Sequence, residues 1–181
     1  MLFRSEREKT CLLARDPFGI KPLYYHASAG QLCFASELRA LLAAGSVPRD
    51  LDPHAVHGYF RTGSVPEPRT LLRNVRSLAA GHLAVWREGE LETRPYWSLR
   101  FGAEPVVEAE AVQSTRRALL DSVEHHFISD VPVGVFLSGG IDSTALVALA
   151  RAIGRSELHT YSIAFPESPG DEGAQIGRAH V

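Results

Sequence analysis

The chain has 181 residues, 45% of them apolar, with 19 basic and 21 acidic side chains and a net charge of −2. That length admits one domain or two small ones around an ordinary core, and the intermixed charge excludes a nucleic-acid or membrane surface. Cys11 and Cys33 sit in separate apolar runs, and neither a signal peptide nor an apolar stretch of about 18 residues is present, so the expectation is a reducing, cytoplasmic compartment.

Residues 1 to 97 alternate short strands with turns. Thr10–Ala14 is an apolar run closed by Arg15-Asp16-Pro17-Phe18-Gly19, where Pro and Gly stand at turn spacing. Pro22–His26 and Gln31–Ala35 flank the connection Ala27–Gly30 and read as a hairpin. Ser36 is the expected cap of a helix running to Ala44, with Leu38, Leu41 and Leu42 on one face. Asp52-Pro53 opens a second helix, with Asp as N-cap and Pro at the first helical position. Gly63–Arg69 carries two prolines and reads as a rigid loop, and Gly81–Trp86, the Arg87–Glu90 turn and Leu91–Trp97 form another hairpin.

Residues 98–106 are a polar linker containing Gly and Pro. Val112, Leu119, Val123 and Phe127 then recur at helical spacing within Val107 to Phe127. A strand at Val133–Leu137, a loop at Ser138–Asp142, a helix at Ser143–Ile153 and a strand at Leu158–Ala164 follow. Together they read as a βαβ unit, which requires a parallel sheet with its ligand at the strands' carboxyl edge. Both ends read as cut. Met1 leads almost directly into a strand, and Ile176-Gly177-Arg178-Ala179-His180-Val181 reads as an artefactual tail because it matches a translated sequencing adapter.

The run from Val133 to Thr144, centred on Ser138-Gly139-Gly140-Ile141-Asp142-Ser143, carries the chemistry. Two glycines let a backbone approach an anion closely, a helix N-terminus offers unpaired N–H groups, and Ser138 and Ser143 add hydroxyls. No Lys follows the glycines, so this is not the loop that grips β- and γ-phosphates; it reads as a pyrophosphate cradle serving adenylation. A carboxylate beside a phosphate repels it unless a cation intervenes, so Asp142 is a candidate Mg²⁺ ligand, its other reading being the helix N-cap.

Asp130 to Ser143, in the order Asp-Val-Pro-Val-Gly-Val-Phe-Leu-Ser-Gly-Gly-Ile-Asp-Ser, resembles the ATP-pyrophosphatase (PP-loop) segment of glutamine-hydrolysing asparagine synthetases. That loop type is shared with other adenylating enzymes. The run Leu13 to Tyr25, with Phe34-Ala35-Ser36-Glu37, Ala80-Gly81-His82 and Tyr96-Trp97, narrows it, because these resemble the end of the same family's glutaminase domain. The resemblance covers residues 6 to 175.

It implies an α+β Ntn-hydrolase-like partial domain at 1–97, followed at 107–175 by an α/β parallel-sheet ATP-pyrophosphatase partial domain. The family's substrates would be aspartate, glutamine or ammonia, and ATP, with Mg²⁺ as cofactor and a homodimer as the full-length form. Glutamine yields ammonia at an N-terminal cysteine, and aspartate is activated as β-aspartyl-AMP before ammonia displaces AMP.

By motif match, Ser138, Gly139, Gly140, Asp142 and Ser143 would contact pyrophosphate, with Asp142 on Mg²⁺. Leu137 and Ile163 would line the adenine, core packing being the other reading for both. Asp171-Glu172 resembles an acidic pair that follows this strand in the family. The nucleophilic cysteine would lie upstream of Met1, Cys11 being a mid-strand core residue, and the acceptor site downstream, so the chain as written is expected to lack both activities. The competing readings are a relative that amidates another carboxylate or closes a β-lactam, and a non-catalytic nucleotide-binding module. His54 with His57 and His125 with His126 read as ordinary surface and helix-end residues, and Arg15 and Lys21, which flank the Phe18-Gly19-Ile20 turn, as solvated charges, support of the domain interface being the other reading.

Overall fold

In a computed structural model of the chain, residues 2–102, 105–165 and 176 are described. The chain divides into two compact units, Met1–Gly102 and Ala103–Val181. In the first unit, β1 (Leu2–Ser5), β2 (Thr10–Ala14), β3 (Tyr24–Ser28) and β4 (Gln31–Ala35) precede two helices, α1 (Leu38–Ala43) and α2 (Pro53–Thr62). Three strands follow: β5 (Arg76–Ser77), β6 (His82–Arg87) and β7 (Glu90–Pro95). They form two antiparallel sheets, one ordered β1-β2-β6-β7 and the other β4-β3-β5.

Strand alternation explains how the sheets stack. In β3 and β4, Tyr25 opposes Phe34 and Ala27 opposes Leu32. Tyr25, Phe34 and Leu32 pack with Leu13 and Ala84 of the other sheet and with Leu78 just after β5. The opposite face of the same hairpin carries Tyr24, Cys33 and Ala35, which pack with Leu41 of α1 and with Val47, Leu72 and Val75. Sheet, sheet and helix thus lie in three layers. The β3–β4 and β6–β7 hairpins close through two residues of positive φ, Ala29 (49°) with Gly30 (72°) and Glu88 (53°) with Gly89 (90°), the geometry that matches strand twist. Each connection is therefore shorter than the sequence suggests, and Ala27 and Ser28 belong to β3.

Asp52 caps α2 as expected: its carboxylate accepts from the His54 N–H at 2.9 Å, with Pro53 at the first helical position. Ser36 does not cap α1. The N-cap is Glu37, with no side-chain hydrogen bond, and the helix is one short stretch from Leu38 to Ala43.

Arg15 also departs from expectation. It is 7% exposed rather than solvated. Its Nη1 donates to both Glu67 carboxylate oxygens (2.9 and 3.0 Å), to Ser77 Oγ (3.0 Å) and to the Leu78 carbonyl (2.7 Å). Nε and Nη2 donate to the carbonyls of Lys21 (3.0 Å) and Gly19 (2.9 Å). Lys21 itself is exposed.

The second unit contains α3 (Glu108–His126), β8 (Gly134–Phe136), α4 (Ile141–Ala152) and β9 (His159–Tyr161). β8 and β9 pair in parallel, with Val135 opposite Thr160, so the strand–loop–helix–strand reading holds. Val123, Leu149 and Ala150 form its buried cluster, joined by Leu120, Phe127, Ile153 and Leu158. Of the apolar positions read in α3, Val123 is buried, whereas Val112 and Leu119 are exposed. His125 and His126 occupy the last turn of α3, each Nδ1 donating to the carbonyl four residues back (2.8 and 2.7 Å). Asp171-Glu172 and all of the 176–181 tail but Ile176 lie outside the described residues.

Candidate nucleotide site

The loop between β8 and α4 is tied down by its own chain. Leu137 ends the strand: its N–H donates to the Tyr161 carbonyl at 2.8 Å. On its other side the Ser162 hydroxyl donates to the Leu137 carbonyl at 2.6 Å. Leu137 is therefore fixed to both ends of the β9 turn-out, and the loop begins at a defined point. Gly134 leaves room for the Tyr161 ring, since a Cβ there would lie 2.5 Å from it.

Within the loop, Ser143 is the central knot. Its Oγ accepts from the Ser138 N–H at 3.1 Å, lies 2.9 Å from Ser138 Oγ, and reaches the carbonyls of Ser138 (2.9 Å) and Gly140 (3.2 Å). A hydroxyl has one proton and two lone pairs, so these partners fill its capacity. Thr144 Oγ1 adds a bond to the Gly140 carbonyl at 2.9 Å.

Gly140 is extended (φ −74°, ψ 155°) and acts as N-cap of α4. The helix begins at Ile141, two residues earlier than the sequence suggests, because that extended glycine ends the loop. Asp142 is accordingly not the N-cap; it stands in the first helical turn, exposed. There a carboxylate meets the positive end of the helix dipole, beside first-turn N–H groups that have no partner inside the helix.

Leu137, Ser138 and Ile163 line one cavity of about 360 Å³ with Phe136, Tyr161 and Ser162, within the size range of small-molecule sites. Ile163 is 72% exposed, so it is not a core residue. Gly139, Gly140, Asp142 and Ser143 continue along the loop, outside the cavity lining. Ser162 and the exposed rings of Phe136 and Phe165 were not legible as site residues. Phe136 and Ser162 read as ordinary strand residues in sequence and Phe165 as the residue after a strand, and the pairing of β8 with β9 brings them to one edge.

Among the described residues no cluster of His, Cys, Asp or Glu could by itself hold a metal. Asp142 is a single exposed carboxylate at the loop, and Mg²⁺ commonly takes one or two carboxylates with the rest of its shell from phosphate oxygens and water. The donor set therefore fits a Mg²⁺ ion that arrives with a phosphate ligand rather than one held by the protein alone.

These features define an α+β unit of stacked antiparallel sheets followed by an α/β unit with a glycine loop at its strand edge. The profile of the family described as glutamine amidotransferase domain matches residues 1–97, and that described as asparagine synthase matches residues 114–179. Asparagine synthetase [glutamine-hydrolyzing] 1 of Bacillus subtilis is 40% identical over 155 residues, covering 85% of this chain and 24% of that protein. A putative asparagine synthetase [glutamine-hydrolyzing] of Mycobacterium bovis is 43% identical over 153 residues (80% of this chain, 23% of the relative). The Penicillium rubens protein named amidase chyE is 32% identical over 186 residues (92% and 27%). The chain belongs to the glutamine-hydrolysing asparagine synthetase family. It spans about a quarter of the length of the curated relatives it matches. Among the described residues no helix is long and apolar enough to cross a membrane.

Proposed function

We propose that the chain is part of an ATP-dependent amidotransferase that makes asparagine and glutamate from aspartate and glutamine, releasing AMP and pyrophosphate. Residues 1–97 would be the rear of an Ntn-type glutaminase, 98–106 a linker, and 107–175 the front of a PP-loop synthetase domain. The observation that carries this reading is the self-tied loop from Leu137 to Ser143 at the carboxyl edge of a parallel strand pair, on the same chain as an amidotransferase domain.

In the proposed reaction an aspartate carboxylate oxygen bonds to the α-phosphorus of ATP, the bond from that phosphorus to pyrophosphate breaks, and β-aspartyl-AMP forms. Ammonia from glutamine hydrolysis then displaces AMP, giving the amide. Negative charge accumulates on the departing pyrophosphate, and fixed donors at the loop stabilise it where it develops. The Ser138 hydroxyl and the first-turn N–H groups of α4 would supply those donors, with Gly139 and Gly140 letting the phosphate approach the backbone and Ser143 holding the loop in place. Leu137 and Ile163 give the adenine an apolar wall. Asp142 would hold Mg²⁺, which neutralises phosphate charge when bound.

A second reading is amidation of a carboxylate other than that of aspartate; among the similar proteins, that of Penicillium rubens is named an amidase rather than an asparagine synthetase. The test of the first step is calorimetric titration of the chain with pyrophosphate and Mg²⁺. Saturable, Mg²⁺-dependent binding is expected, weakened about tenfold by Asp142→Asn, equivalent to roughly 1.4 kcal/mol. Binding that ignores Mg²⁺, or is unchanged in the variant, would sink the assignment. In the full-length enzyme, pyrophosphate release that requires aspartate selects the first reading over the second.

A further inference from the structure

The first unit holds a cavity of about 550 Å³ on the open side of the β3–β4 hairpin, next to the segments after α1 and before β5. Its lining includes Arg73, Arg76, His26, Ser28, Ser46 and Cys33, and no Asp or Glu. A cavity lined by two guanidinium groups and no carboxylate is positively charged on balance, although one of the two, Arg76, is ion-paired to Asp52 outside the lining. Outside the lining, Asp52 Oδ2 is 2.9 Å from Arg69 Nη1 and 3.8 Å from Arg76 Nη1. The Arg69 contact is a hydrogen bond; the Arg76 contact is too long to be one. Arg76 Nη1 is buried with no hydrogen-bond partner, its charge answered by Asp52 across that ion pair, so Arg73 is the guanidinium of this lining left without a partner among the described residues. The Arg73 side chain makes no hydrogen bond or ion pair among the described residues; only its backbone N–H is engaged, by the Asp50 carbonyl. His26 is oriented from outside: the Asn74 carbonyl can only accept, so His26 Nδ1, 2.7 Å away, carries the proton.

We propose that this cavity is a binding site for a small molecule carrying a phosphate group. Guanidinium forks match phosphate oxygens, and the hydroxyl of Ser28 and the amide of Gln31 add donors to those of the guanidiniums, more than the two oxygens of a carboxylate can use. The volume fits a small metabolite rather than a macromolecular surface. The site shares no residue with the loop at Leu137–Ser143, so it stands independently of the function proposed above.

Cys33 makes the test site-specific, because it is a free thiol in this lining while Cys11, the other free thiol, lines a separate pocket with Arg4 and Trp86. The chain is treated with neutral iodoacetamide across a series of inorganic phosphate concentrations, with chloride at matched ionic strength as control. Alkylation of each cysteine is followed by mass spectrometry. Phosphate is expected to slow Cys33 several-fold in a saturable manner, to leave Cys11 unchanged, and to lose this effect in Arg73→Gln. Arg73 is exposed and its side chain unbonded, so that variant keeps the fold, which circular dichroism verifies. Equal protection by chloride, parallel slowing of Cys11, no slowing of Cys33, or full protection in Arg73→Gln would each overturn the proposal.

Discussion

Arg15 shows how one side chain can organise a loop. Its guanidinium holds the carbonyls of Gly19 and Lys21 on the turn it opens and that of Leu78 beside β5, and it meets Glu67 from a distant loop. From the same residue the backbone carbonyl accepts from Tyr96 Oη at 2.7 Å, which anchors the end of the last hairpin. A buried guanidinium so fully engaged is costly to remove, since several acceptors lose a charged donor at once. Arg15→Met should destabilise the first unit by about 2–4 kcal/mol in urea unfolding, the half-exposed Glu67 recovering some solvation. Arg15→Lys should restore the charge but less than half of the stability, because an ammonium cannot span acceptors arranged for a planar fork. A lysine variant as stable as the parent would show that charge, not geometry, is what matters. The burial of Arg15 was not legible in sequence: Glu67, Ser77 and Leu78 stand 52, 62 and 63 residues away. The Asp52 cap was, because capping is decided within two residues.

At the scale of elements, the turn after β2 is closed by Asp16. Its carboxylate accepts from the N–H groups of Ile20 (2.8 Å) and Lys21 (3.0 Å), and the Lys21 and Ile20 bonds together hold its pKa below the usual carboxylate value. For Asp52, burial pushes the carboxyl up, but Arg69 and the N–H groups of His54 and Ala55 outweigh it and hold it down as well. Both folded values lie below the unfolded ones. Each group's stabilisation is therefore complete above the unfolded pKa of about 4 and is lost as the pH falls from there through the folded value. Unfolding midpoints in urea should decline between about pH 5 and about pH 3, and Asp16→Asn should make that decline shallower, leaving the share due to Asp52. An unchanged slope in the variant would remove Asp16 from the account. Element types were legible because alternation and turn chemistry are local. Their ends were not: Ala29 and Glu88 adopt positive φ although neither is a residue type that favours it, and α4 starts at Ile141 because Gly140 caps without a side chain. The seven residues assigned from the loop motif were named from sequence, but the Ser162 bond that fixes Leu137 depends on a strand pairing no local pattern encodes.

Taken as a whole, the chain distributes its packing unevenly between its two units, each considered by itself. The first has two buried clusters, and Leu13, Leu78 and Val75 are fully enclosed. Among its described residues the second buries the apolar side chains of Val123, Leu149 and Ala150, while Val112, Leu119, Phe136, Ile141 and Leu146 are exposed. An open groove of about 540 Å³ runs between α3 and α4, lined by Val112, Leu119, Ala145 and Leu149 among others. Apolar area left in water contributes nothing to folding, at about 25 cal/mol per Å², so the second unit should open locally at lower free energy than the first. Hydrogen exchange read by mass spectrometry should find the amides of β2 and β6 slowest, with those of β8 and the first half of α4 exchanging much sooner. Equal protection across the two groups would contradict this account of the packing. If the loop binds pyrophosphate with Mg²⁺ as proposed, the ligand must stabilise the closed form by mass action, by about 2.7 kcal/mol at a hundredfold excess over its dissociation constant. Exchange at residues 137–144 should then slow on addition of the pair while that of β2 and β6 does not change, because stabilisation by a ligand appears first where the unliganded chain opens most easily.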